Sequence, residues 1–137
     1  MLFRSPVELA LEHDGSTATV AMSAEAFDTV VTHLLNNAVE ASGGAPVRLR
    51  VRHEARRVVV SIADGGPGMT AEFIRDHLFR PFRTSKREGT GIGAFQAREL
   101  LREAGGDLLV DSRPGAGTTV HLVFARADAP AGTLAPA

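Results

Sequence analysis

Asp64 follows the apolar run Val58 to Ile62 and opens the turn Asp64-Gly65-Gly66-Pro67-Gly68-Met69. A carboxylate delivered by a buried strand into a glycine-rich turn has two readings. It can cap the turn with its own side chain, as most Asp-Gly pairs do. It can also stand at the floor of a nucleotide pocket and read the base, with Gly66 and Gly68 letting the backbone approach a flat ring without a Cβ in the way. Upstream, His33, Asn36, Asn37 and Glu40 recur at helical spacing and so share one face. A solvated surface is the ordinary explanation of such a face. Two adjacent Asn residues are poor helix formers, however, and cost stability unless they have another task. The Asn37 carboxamide oxygen is a hard, neutral ligand of the kind Mg²⁺ accepts beside phosphate oxygens. His33, one turn earlier, could position or deprotonate a nucleophile, or merely hydrogen-bond there.

A third chemical element is Gly89-Thr90-Gly91-Ile92-Gly93-Ala94, which opens a helix. Free N–H groups and the positive end of the helix dipole make such a start an anion site. The string also fits G-x-G-x-x-A, but a dinucleotide fingerprint follows a strand early in a βαβ unit, and this one follows a polar loop. The Walker A pattern is absent, so an ATP site here is of another type. Between the two glycine motifs, Arg80 to Gly91 carries Arg83, Lys86 and Arg87 and reads as a mobile loop that could close over polyphosphate.

These residues need elements to hold them. Val7 to His13 alternates, Asp14-Gly15 gives a turn and Ala18 to Met22 resumes, which predicts a hairpin or two short strands. Apolar residues from Phe27 to Val39 repeat at three and four, predicting an amphipathic helix over Ala24 to Ser42 with Ser23 as N-cap and Gly43 as stop. Val47 to His53 and Val58 to Ile62 form an antiparallel pair around Glu54 to Arg57, with the Arg side chains solvated. Thr70 caps a short helix, Ala71 to Leu78, packing Phe73, Ile74 and Leu78 inward. Ile92 to Ala104 forms a helix stopped by Gly105-Gly106, and two strands, Asp107 to Asp111 and Thr118 to Phe124, close the pattern. The order implies an α+β fold, a two-layer α/β sandwich in which one mixed, mostly antiparallel sheet carries helices on one face.

With 137 residues, 44% of them hydrophobic, the chain suits a single domain with a full core, expected over residues 1–126, followed by an unstructured tail, 127–137. A net charge of −1 with scattered basic residues gives no nucleic-acid or membrane footprint. Absence of Cys excludes a disulfide scaffold and thiol chemistry and suits a reducing cytoplasm. No apolar run approaches the roughly 20 residues of a spanning helix, and the N-terminus is no signal peptide. The expectation is a soluble cytoplasmic domain without direct membrane insertion, any anchor lying in a longer parent.

Taken together, Asn37 on its helix, Asp64 to Gly68, Phe79-x-x-Phe82, Gly89 to Gly93 and Gly115-Ala116-Gly117-Thr118 resemble, in order and spacing, the N, G1, F, G2 and G3 boxes of the histidine-kinase catalytic domain. That domain belongs to the gyrase, Hsp90, histidine kinase and MutL superfamily of ATPases with the Bergerat fold. The resemblance covers roughly Val7 to Phe124. The wording His33-Leu34-Leu35-Asn36-Asn37 and Gly91-Ile92-Gly93-Ala94-Phe95-Gln96 looks more specifically like sensor kinases of the exosortase (PEP-CTERM) system.

The resemblance implies an ATP-binding domain of a two-component signal-transduction kinase, a transferase that binds ATP or ADP with Mg²⁺. Asp64 would accept the adenine amino proton and reject guanine, Asn37 would hold Mg²⁺, and Lys86, with Arg83, would neutralise the γ-phosphate. Gly66, Gly68, Gly89, Thr90, Gly91 and Gly93 would line the nucleotide, Ile62, Met69 and Ile92 would flank the ring, and Phe82 belongs to the same site. Thr118 would support Asp64 through a hydroxyl or a water. Asn37, His33 and Lys86 are the candidate catalytic residues. The chain departs from the pattern at His33, where many members have Asn, and at Glu40, where a basic residue is common. None of its five His residues sits in the helical phosphoacceptor motif of these kinases. The implied partners are therefore a separate dimerisation and phosphoacceptor domain and a downstream response regulator. An anti-sigma-type serine kinase of the same fold, or a nucleotide-sensing module without turnover, are the alternatives.

Overall fold

The computed structural model describes residues 9–12, 15, 18–80 and 93–127. Helix α1 spans Ala24–Ser42, entered through Ser23, whose Oγ accepts the Ala26 N–H at 3.1 Å, and left through Gly43 in the left-handed region. Those are the expected boundaries, and their chemistry is ordinary capping. Strand β1 is Leu9–Glu12, β2 Val47–His53, β3 Arg57–Asp64, β4 Asp107–Ser112 and β5 Thr118–Ala125. A short helix α2, Ala71–Phe73, is capped by the Thr70 hydroxyl and runs into a π-turn, Ile74–Leu78. Helix α3 covers Ala94–Glu103.

The sheet order is β1-β2-β3-β5-β4. Only β1 and β2 run parallel; the other neighbours are antiparallel. Thus β1 does not form a hairpin with the segment that follows Asp14-Gly15. Leu9 to Glu12 pair with Val47 to Arg50 instead, and the segment around Val20 bridges Arg126 beside the end of β5. A turn signal is local, whereas a strand takes the partner that buries its apolar face.

Helices α1 and α3 contact each other and lie on one face of the sheet, α1 against β3 and α3 against β4. Between the layers, Val30, Leu34 and Ala38 of α1 and Ala97 and Leu101 of α3 meet Val58, Val60 and Ile62 of β3 and Leu122 and Phe124 of β5. The rings of Phe27 and Phe124 lie 5.1 Å apart at one end of this core. On the opposite face of β2, Arg48, Arg50 and Arg52 are exposed, as the alternation predicts. Phe73, expected to point inward, is 40% exposed on the single turn of α2.

Candidate functional site

A cavity of about 540 Å³ opens where the two layers part, in the size range of small-molecule sites. Its position follows from the register. On the core side of the sheet, Asp64, Thr118 and Ser112 form one transverse row, and Ile62, Val120 and Val110 form the next. Val110 and Val120 of the apolar row floor the space, and Asp64 and Thr118 of the polar row close its end. Helix α1 supplies the facing wall with His33, Asn37 and Glu40, and Gly68 and Met69 come from the turn after β3. Asp64 and Asn37, distant in sequence, line the same cavity, as do Gly93 and Thr118.

Asp64 does the first of the two jobs that the sequence left open, and it lines the cavity where the second would be done. Its Oδ1 accepts the Gly66 N–H at 2.8 Å, which caps the turn. Among the described residues this is its only side-chain hydrogen bond, so Oδ2 is not committed to the fold. The glycines, by contrast, serve a different closeness from the expected one. A Cβ on Gly66 would stand 2.5 Å from the Ala41 carbonyl oxygen, and one on Gly68, at φ +77°, would collide with the Arg113 carbonyl. Their missing side chains make room for the protein's own backbone. Gly66 does not itself line the cavity.

Thr118 is expected to support Asp64 through a hydroxyl or a water. Its hydroxyl bonds Ser112, oxygen to oxygen at 2.7 Å, and no direct side-chain hydrogen bond joins it to Asp64 among the described residues. Ser112 is the residue that motif reading missed. Its Oγ accepts the Met69 N–H at 2.8 Å and donates to the Gly117 carbonyl at 3.1 Å. Together with the Gly115 N–H on the Pro67 carbonyl at 2.7 Å, these bonds stitch the β4–β5 turn to the turn after β3. Nothing in the local sequence distinguishes Ser112 from any serine at a strand end.

His33 lies on the expected face of α1 and lines the cavity, yet it is only 6% exposed. Its Nε2 stands 3.2 Å from the Asn37 Nδ2. Ile62, expected to flank the base, is buried in the core at 1% exposure, one pleat below Asp64; Leu108, Val110 and Val120 provide the apolar lining in its place. Phe73 of α2, with His77 and Leu78 of the π-turn, forms a further wall. At the start of α3, the Gly93 N–H donates to Gln96 Oε1 at 2.9 Å, closing the first turn. Phe82, Lys86, Gly89, Thr90, Gly91 and Ile92, with Arg83, lie outside the described residues.

Among the described residues no group of three or more His, Cys, Asp or Glu could hold a metal ion by itself. The donor set nonetheless fits Mg²⁺. That ion commonly takes one or two protein oxygens and completes its octahedron with phosphates and water, and Asn37, which lines the cavity, carries one oxygen of the required kind.

Residues 22–128 match the family described as histidine kinase-, DNA gyrase B- and HSP90-like ATPase. The C4-dicarboxylate transport sensor protein DctB of Rhizobium meliloti (strain 1021) is 38% identical over 95 residues, covering 67% of this chain and 15% of that protein. Sensor histidine kinase YkoH of Bacillus subtilis (strain 168) is 33% identical over 123 residues, covering 85% of this chain and 27% of that protein. The chain thus corresponds to a minor part of the length of both. Among solved structures, the mycobacterial sensor histidine kinase MprB superposes with a TM-score of 0.73 at 24% identity, over 88% of this chain and 82% of that one. The nucleotide-free catalytic domain of histidine kinase ThkA gives 0.75 at 23%, over 88% and 80%. At these identities the structures speak for the fold, which is the expected two-layer sandwich.

Proposed function

The chain belongs to the histidine kinase-, DNA gyrase B- and HSP90-like ATPase family and is an ATP-binding catalytic domain of the sensor-histidine-kinase kind; we propose that it donates the γ-phosphoryl of ATP to a histidine on a separate phosphoacceptor domain of a longer kinase. The observation that carries the reading is the meeting of Asp64 and Asn37 on one cavity. A carboxylate at one end suits a purine amino group, and a carboxamide across from it suits the cation on the polyphosphate.

In this reading Asp64, with Oδ1 anchored on Gly66, accepts the adenine amino proton through Oδ2. Guanine carries a carbonyl oxygen at that position, so two acceptors would face each other and the buried pair would go unsatisfied. Val110 and Val120 with Met69 would border the base, and Asn37 would hold Mg²⁺. Mg²⁺ bound there supplies charge neutralisation across the phosphate oxygens, the main requirement of phosphoryl transfer beyond alignment. Lys86, with Gly89, Thr90, Gly91, Ile92 and Phe82, belongs to the phosphate and ring contacts of the same proposal, as the motif match implies. Residues 1–126 form the working domain, on the cytoplasmic side, and a response regulator receives the phosphoryl group downstream. No helix among the described residues is long and apolar enough to cross a membrane.

Incubation of the chain with γ-labelled ATP, Mg²⁺ and the adjoining acceptor region of its parent tests the proposal. Label is expected on an acid-labile phosphohistidine of the acceptor. ATP binding without any transfer would favour the nucleotide-sensing alternative, and label on serine would favour the serine-kinase one.

A further inference from the structure

Building on the reading that Asn37 is the cation ligand, we propose that His33 is a positioning residue, whose unprotonated Nε2 accepts the Asn37 Nδ2–H and so turns the carboxamide oxygen toward the cavity. The two residues are four apart on α1, which places them on the same face one turn from each other. Their nitrogens are 3.2 Å apart, both residues line the cavity, and His33 is 6% exposed.

A carboxamide has an attractive end and a repulsive end for a cation. Its terminal torsion is broad and roughly two-fold, so the helix backbone alone does not choose between them. A neighbouring imidazole nitrogen does choose. Without a proton it accepts from the –NH₂ and leaves the oxygen for the ligand; with a proton it claims the oxygen and leaves the –NH₂. The tautomer of His33 and the atom that Asn37 offers are therefore one variable. For oxygen to face the phosphates, the His33 proton must sit on Nδ1. The Nε2 lone pair is then spent on Asn37, which makes His33 an orienting group for the ligand, as metal ligands commonly have, and removes it from the role of base through that nitrogen.

The test reads cation affinity and the location of the proton separately. In the 137-residue chain with a non-hydrolysable ATP analogue, Mn²⁺ affinity is followed by electron paramagnetic resonance. His33→Leu is expected to weaken it by about 10- to 100-fold, the usual effect of losing a ligand's orienting partner. His33→Gln, whose Oε1 can accept from Asn37, restores most of the loss. In the unmutated chain, ¹⁵N NMR of the imidazole is expected to show a bare Nε2 and a protonated Nδ1. A proton on Nε2 overturns the inference even if the Leu variant does not fold. Unchanged Mn²⁺ affinity in His33→Leu, with a loss in Asn37→Ala, also overturns it and leaves the metal role of Asn37 standing. Unchanged affinity in Asn37→Ala defeats the underlying reading, and the inference with it.

Discussion

Asp64 and Thr118 stand opposite each other in the β3–β5 ladder, yet their side chains have separate partners: Asp64 holds the Gly66 N–H and Thr118 holds Ser112. The carboxylate is thereby half fixed and half available. Asp64→Asn keeps an oxygen for Gly66 and can place a donor where a ligand's amino group would arrive. Stability is expected to stay within about 1 kcal/mol, while ATP affinity in calorimetry falls about 100-fold, the scale of a charged hydrogen bond lost. Wild-type affinity in this variant would refute a base-reading role.

Ser112 joins three segments through one oxygen, so Ser112→Ala leaves the Met69 N–H without its acceptor and Thr118 without its partner. Each half-buried group left unpaired costs on the order of 1 kcal/mol. The urea midpoint is expected to drop by about 2 kcal/mol of stability with an unchanged slope. An unaltered midpoint would mean that the two turns hold together without it.

Gly68 and Gly43 both sit at positive φ, +77° and +61°, but a Cβ on Gly68 meets the Arg113 carbonyl whereas nothing lies within 4 Å of one on Gly43. Ala at Gly43 should therefore cost only the left-handed conformation, about 1 kcal/mol. Ala at Gly68 adds a backbone collision and should cost at least about twice that. Equal losses in paired thermal melts would show that the neighbouring turn moves aside freely.

Asp107, at the start of β4, is pushed up by burial, but hydrogen bonds from Arg102 and the Leu108 N–H, with the charges of Arg102 and Arg98, outweigh that and hold its carboxyl below the usual range. A depressed carboxylate stabilises the fold above its unfolded pKa, and the contribution disappears as pH falls through the folded one. With the Asp107 side chain 38% exposed, solvent screening keeps the effect of Asp107→Asn below about 1 kcal/mol at neutral pH. Urea titrations of the two proteins should converge as pH drops below the ordinary carboxylate range. A gap that widens in acid would reverse the assignment.

Helix α1 was legible because its signals are local: a serine cap, a three-and-four apolar rhythm and a glycine stop, all within the helix itself. Asp64 and Asn37 were legible because each is chemically odd where it stands. Partner choice was not. The Asp14-Gly15 turn left a hairpin or two short strands open, and β1 pairs with β2. Ile62 looked like a ring contact beside Asp64, but two residues along a strand is one pleat deeper, and the floor comes from β4 and β5. Ser112 acquires its role only when the β4–β5 hairpin folds back on the first glycine turn, which no window of sequence displays. The burial of His33 depends likewise on a wall built by other elements.

The last described strand in chain order, β5, lies between β3 and β4, which are made before it. While the chain is being synthesised, both of those strands must wait with a bare edge, and Asp64 has neither Thr118 opposite it nor Gly117 behind it. Nucleotide can therefore reward only a domain in which β5 has already joined β3 and β4, so ATP would act as a ligand of the closed sheet and not as a template for its assembly.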